Sequence, residues 1–276
     1  ALKAAIFPLH AWMPNAYTFA PHMVTVFIAA CSTKVSLYVL LRMDFFVFQK
    51  NMVDHELQFG FFLMPLAALG ILFGSIAAIF EQNIKRVLAF SSVAQLGYIL
   101  LGASLVSMAG LSASLLHMFN HALAKGALFL VAMGLAMRFS QLDLRYLGGA
   151  ARHMPWTAAA LAVAGLSLIG VPGTAGFISK WYLVQAVLEL GVPGFALVAV
   201  IVAGSLMAVV YIWRIVEALW FGEETEHSPQ GIHEAPAMML ALIWLAALAN
   251  IYFGLVTELP RELATASADS LLGPLP

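Results

Sequence analysis

Cysteine is almost missing from this 276-residue chain: one, Cys31, sits in an apolar segment. Neither a disulfide frame nor a cysteine metal site can be built from it, and its plain reading is a small buried hydrophobe. Charge is scarce too, with 10% of residues charged, a formal net charge of -1 and no basic run. Nucleic-acid binding and an anionic-lipid patch are therefore not expected. The chain has no P-loop, no G-x-G-x-x-G opening a helix after a strand and no nucleophile elbow, so no cofactor is expected and the chain is not read as catalytic alone. It opens Ala-Leu-Lys without a basic n-region, apolar core and cleavage site, which excludes a signal peptide. Because residue 1 already lies in an apolar stretch, further N-terminal sequence is expected.

What the chain has in excess is apolar residues: 62% are hydrophobic and mean hydropathy is +0.93. That composition belongs to an integral membrane protein. Since a bilayer core of about 30 Å needs about 20 apolar residues as a helix and its backbone must be bonded internally, the reading is an all-α polytopic fold. Eight segments are expected, at 1–18 (broken), 22–42, 59–80, 84–107, 111–138, 155–190 (broken), 194–221 and 236–257, followed by a polar tail from Glu258 without a further span. Lys85, Arg86, Arg138, Arg145, Arg152 and Arg214 fall after the third, fifth and seventh segments, against Arg42, Lys50 and Arg261 on the other side. The first set is expected to be cytoplasmic.

All seven arginines fall at segment ends or in loops, whereas four of the six lysines (Lys3, Lys34, Lys125 and Lys180) fall inside apolar segments. Arginine cannot lose its proton in a protein, while a desolvated lysine can. Four charged, lipid-facing lysines would cost on the order of 10 to 14 kcal/mol on insertion scales, so an inward-facing, proton-exchanging role is the stronger reading. Snorkelling to an interface is the competing one, most of all for Lys3.

His117, His121 and Lys125 recur every four residues in the fifth segment and so form one stripe on a helix. An inward stripe of titratable groups suits a proton relay. Two alternatives stay open: satisfied structural histidines, and a metal site, although HMFNH lacks the glutamate of HExxH and no clear third ligand follows. Two segments carry breakers, Pro8 and Pro14 in "FPLHAWMPNAY" and Gly170, Pro172, Gly173 and Gly176 in "GVPGTAGFISKW" ahead of Lys180. Each should break within the membrane, where irregular backbone is tolerated only in a protein interior or beside water. Paired broken spans point to an inverted-repeat transporter.

The stretches "KAAIFPLHAWMPNAY", "STKVSLYVLLR", "NIKRVLAFSSVAQLGYILLG", "LLHMFNHALAKGALFL", "LGGAARHMPWTAAALAVAGLSLIGVPGTAGFISKW" and "YIWRIVEALWFG" resemble the antiporter-like proton-translocating subunits shared by respiratory complex I (NADH:quinone oxidoreductase), Mrp-type Na⁺/H⁺ antiporters and energy-converting hydrogenases. "STKVSLYVLLR" looks most like the D-type component of Mrp antiporters and its hydrogenase relatives. The resemblance implies a fourteen-helix fold with two inverted five-helix repeats. Residues 1–58 would end the first repeat, 59–221 would form the second, and 222–276 would hold the last span and tail, with the N-terminal half of the family fold outside this chain. It further implies a proton relay through Lys3, Lys34, His117, His121, Lys125 and Lys180. The implied partners are other membrane subunits of a hetero-oligomeric complex, the lipid bilayer and protons, with Na⁺ as a second candidate ion, in a bacterial inner membrane. The alternative is a structural subunit of such a complex without transport of its own. Asn15 stands where an aspartate is frequent, "APHMVTV" replaces a common PTPVSA-like stretch, and Lys180 stands where one complex I branch has glutamate.

Overall fold

The computed structural model describes residues 2–48, 55–223 and 233–272. Its helices are α1 (Trp12–Phe19), α2 (His22–Phe27), α3 (Thr33–Arg42), α4 (His55–Phe80), α5 (Ile84–Ser104), α6 (Met108–Ala136), α7 (Ala150–His153), α8 (Pro155–Ile169), α9 (Ala175–Leu188), α10 (Val192–Phe221), α11 (Ala237–Leu255) and α12 (Glu258–Leu272). By length and composition, six helical stretches among the described residues can cross a membrane: His22–Phe45, Phe62–Phe80 and the whole of α5, α6, α10 and α11. The eight expected segments all have helical counterparts. The first is the turn-rich 2–11 leading into α1, and the sixth is α8 and α9 joined by a short break. Lys50, one of the expected loop cations, lies outside the described residues.

Local chemistry sets the helix ends. Asn83 caps α5 by accepting from the Lys85 amide at 2.9 Å, and Ser107 caps α6 by accepting from the Gly110 amide at 3.1 Å, each satisfying a backbone donor left free in the first turn. Pro155 sits at the start of α8, where its missing N–H costs nothing. Gly170 ends α8 with φ +90°, a backbone conformation that glycine adopts without a Cβ penalty. The second span carries a π turn at Ile28–Ser32 between α2 and α3, and a second π turn, Met43–Phe48, follows α3.

Helices α5 and α6 form the centre. Nearly the whole of α5 is buried, including Ser91, Ser92 and Gln95, while α6 is flanked by α5, α8, α9, α11 and α12. Outer faces of α4, α10 and α11 carry exposed Phe62, Phe73, Leu206, Trp213, Leu245 and Leu248. Such faces suit lipid or neighbouring subunits rather than water. Cys31 is exposed, contrary to its plain reading, because the second span turns Ala29, Thr33 and Lys34 inward and leaves Cys31 on the outer face. The polar tail is the amphipathic helix α12, which buries Ala264 and Ala268 and packs against α6.

At the expected cationic end, Arg86 and Arg214 meet at Glu81. Arg86 holds Glu81 through two hydrogen bonds at 2.9 and 2.8 Å and Asn15 through a third at 2.9 Å. Arg214 donates to the Glu81 carbonyl, and backbone bonds tie Ile84 to Leu142 and Leu144 to Gln82. Arg138 reaches the Glu234 carbonyl. Lys85 departs from the loop assignment. It is buried in the first turn of α5 and donates to the Thr18 and Ala20 carbonyls, each at 3.0 Å, so a cation meets the negative end of α1.

Candidate functional site

The interior between α3, α5, α6, α9 and α10 holds the polar groups that the membrane should exclude. Lys34, His117, His121, Lys125 and Lys180 are all buried, Lys125 completely. Among the described residues none of the three lysines is paired with a carboxylate. Their ammonium groups rest on backbone carbonyls and hydroxyls instead. Lys34 donates to the Ala29 carbonyl inside the π turn of its own span. Lys125 donates to the Leu88 carbonyl at 2.6 Å and to the Ser91 hydroxyl at 2.5 Å. Lys180 donates to the carbonyls of Leu168 at 3.2 Å and Ile169 at 2.9 Å and to Ser205 at 3.1 Å, with its Nζ 4.7 Å from the Tyr98 ring centroid.

The break in the sixth segment is what creates the Lys180 site. Ending α8 at Gly170 turns its last carbonyls toward the ammonium, and the negative end of the α8 dipole supplements them. Gly170 also provides room, since a Cβ there would stand 3.0 Å from Lys180 Cδ. Helix α11 keeps the break in place by close approach, because a Cβ on Gly254 would collide with the backbone of Gly173 and Thr174.

Between Lys125 and Lys180 the two histidines lie in file, as the four-residue spacing requires. Their rings stack at 6.3 Å between centroids with an interplanar angle of 11°. His117 is held at both nitrogens, Nδ1 2.8 Å from Ser179 Oγ and Nε2 2.9 Å from Gln95 Oε1, while both His121 nitrogens are buried without a hydrogen-bond partner. Lys34, Lys125, His117 and Lys180 all lie within electrostatic reach of His121. The rings stand parallel rather than converging on one point, and no group of three or more His, Cys, Asp or Glu suited to a metal occurs among the described residues. One histidine fixed at both ends and one with both nitrogens free is an arrangement that can hand protons along a file.

Five of the six expected site residues are thus brought into one buried row. Lys3 is exposed and stands apart from it. Sequence reading missed the neutral polar groups that carry the row: Ser91, Gln95, Tyr98, Ser179 and Ser205. The signal was present, since Ser91, Gln95 and Tyr98 recur at helical spacing through the otherwise apolar "NIKRVLAFSSVAQLGYILLG".

A multi-span helical bundle with two broken segments and, among the described residues, an interior row of lysines without carboxylate partners defines the class, a polytopic membrane protein with a polar interior. The chain belongs to the NADH:quinone oxidoreductase/Mrp antiporter transmembrane family, whose model matches residues 1–208. It is 42% identical over 269 residues to NADH-quinone oxidoreductase subunit N of Desulforudis audaxviator, covering 93% of this chain and 53% of that protein. It is 27% identical over 275 residues to the D component of the Na(+)/H(+) antiporter of Alkalihalophilus pseudofirmus, covering 99% and 54%. A chain in the structure of the Mrp complex from a Dietzia species superposes with a TM-score of 0.89 at 26% identity, over 99% of this chain and 58% of that one. The chain therefore spans about half the length of the curated relatives it matches.

Proposed function

We propose that this chain supplies a proton-translocating half of an antiporter-like membrane subunit, working inside a multisubunit complex of the complex I, Mrp or hydrogenase type. The observation that carries the reading is the row from Lys34 through Lys125, His121 and His117 to Lys180, all buried and, among the described residues, with no carboxylate paired to its lysines. A permanent ion pair would fix those charges; carbonyls and hydroxyls let a lysine exist with or without its proton. Lys125 acts as the central relay, the two histidines connect it to Lys180, and repulsion between neighbouring charged lysines drives the proton onward. The stretch bearing Lys34 resembles the D-type component of Mrp antiporters, whereas overall identity is higher to an N-type component of NADH-quinone oxidoreductase. Both relatives come from bacteria, which supports a bacterial inner membrane. The excess of Lys and Arg after the third, fifth and seventh segments, Arg86, Arg138, Arg145 and Arg214 among them, supports that side as the cytoplasmic one, and Na⁺ is the second ion to be tested.

The test is proton uptake into inverted vesicles carrying the intact complex. Lys125→Ala should abolish uptake with assembly unchanged, and Arg145→Ala, at an exposed loop, should leave it intact. Equal uptake in wild type and both variants would assign the chain a structural role.

A further inference from the structure

A cavity of about 810 Å³ opens between the start of α6, the end of α9 and α12, and no residue of the lysine and histidine row lines it. It lies where membrane spans end: α6 begins at Met108, Glu189 caps the C-terminus of α9, and α12 starts at Glu258 just after the span α11 ends at Leu255. Lipid headgroups occupy that level, and an amphipathic helix such as α12, with Leu259 and Leu263 exposed, suits its plane. The cavity has an apolar floor, Ala113 and Leu116 of α6 with Ala264 of α12, and a rim bearing Glu189, Arg261, Glu262 and Asp269. All four rim residues are exposed, and among the described residues none of them forms an ion pair. Two helix ends add to the polarity. The first turn of α6, at Met108 and Ala109, brings the positive end of its dipole to the cavity, and the end of α9, at Gln185 and Glu189, brings a negative one. A metal ion does not fit, because no group of three or more His, Cys, Asp or Glu suited to one occurs among the described residues. An anionic lipid does not fit either, since three carboxylates stand there against one guanidinium.

We propose that this cavity holds the headgroup of a zwitterionic aminophospholipid of the phosphatidylethanolamine type, its phosphate on Arg261 and its ammonium on Glu189. A guanidinium offers phosphate two N–H donors in a fixed fork, and the α6 N-terminus adds its dipole. The primary ammonium carries three N–H donors, for which the Glu189 carboxylate and the Gln185 amide oxygen, one turn apart on α9, are acceptors. A choline headgroup has no such donors, and a glycerol headgroup leaves the phosphate charge unbalanced beside the carboxylates. The glycerol backbone and the first methylenes rest on Ala113, Leu116 and Ala264, and the chains run out into the bilayer. Bound in this way, the lipid ties α12 to α9 across the cavity and gives partners to rim charges that have none within the chain. The site is separate from the proton path and does not depend on it.

The experiment photolabels the intact complex in vesicles with phosphatidylethanolamine carrying a diazirine at the start of one acyl chain, and maps the labelled peptides by mass spectrometry. Label is expected on α12 and on the start of α6. Unlabelled phosphatidylethanolamine should displace it, while phosphatidylcholine and phosphatidylglycerol should do so about tenfold less well, the order of one charge-assisted hydrogen bond. Soluble glycerophosphoethanolamine, which has no chains, should not displace it. Arg261→Gln and Glu189→Gln change exposed side chains without touching the core, and each should cut labelling about tenfold. Arg145→Gln, in the loop at the other end of the bundle, should leave it unchanged. Equal displacement by all three lipids would mean ordinary boundary lipid, and displacement by the soluble compound would assign the cavity to a free headgroup compound. Absence of label, with a peptide of a neighbouring subunit crosslinked to α12, would give the cavity to that subunit. Each of these results overturns the lipid site, as does undiminished labelling in both variants.

Discussion

Replacing Gly170 and Gly173 separately by alanine measures how much of the broken sixth segment exists to seat Lys180. Both glycines have positive φ, +90° and +87°, so either alanine incurs about 1–2 kcal/mol of left-handed backbone strain, offset by about 0.4–1 kcal/mol from a stiffer unfolded chain. At Gly173 nothing lies within 4 Å of the added Cβ, so the net loss should be about 1 kcal/mol. At Gly170 the Cβ stands 3.0 Å from Lys180 Cδ and 3.6 Å from its Nζ. That contact drives the lysine off its rotamer for about another 0.5–1.5 kcal/mol, for a total of about 2 kcal/mol. Thermal unfolding of the purified complex reads the stability difference, and vesicle proton uptake reads its consequence. Gly170→Ala should impair uptake by lifting Nζ off the Leu168 and Ile169 carbonyls, while Gly173→Ala should keep it. Equal stability losses with equal uptake would show that the α8 terminus does not position Lys180.

Three other perturbations follow from the same geometry. Gly254→Ala should cost about 1–3 kcal/mol as overpacking and displace the α8–α9 break, read as a lowered unfolding midpoint and increased proteolysis near 170–175. Lys85→Met removes the cation that closes the end of α1 and should cost about 1–2 kcal/mol; because Lys85 lies outside the proton row, uptake per assembled complex should hold, and complete loss of uptake would bring it into the path. The Arg145 guanidinium beside Asp143 holds that carboxyl below its ordinary range. Its contribution to the loop is thus complete above about pH 4, the unfolded carboxylate range, and fades as pH falls through the lowered value. Loop protection in hydrogen exchange should be flat from neutral pH down to that point, and a change near neutrality would contradict the assignment.

Much of the fold was legible because a bilayer imposes a length and a hydropathy on each span. The broken sixth segment was readable from Gly170, Pro172 and Gly173, and the inward row from His117, His121 and Lys125 at four-residue spacing. Other features depend on partners far away in sequence. Lys85 looked like a loop cation because its partners, the carbonyls of Thr18 and Ala20, lie 67 and 65 residues away in the chain. Cys31 misled because an apolar run shows that a residue is in the membrane, without showing which side of the helix meets the bundle.

The central claim is that Lys125 works by losing and regaining a proton. It is tested most directly by Lys125→Arg in the intact complex, because arginine keeps the charge and the hydrogen-bond donors but cannot titrate. With assembly verified and the Leu88 and Ser91 contacts confirmed in the variant structure, proton uptake in inverted vesicles should fall to the level of Lys125→Ala. Uptake at the wild-type rate would mean that a fixed positive charge suffices at this position, and the relay would have to lie elsewhere.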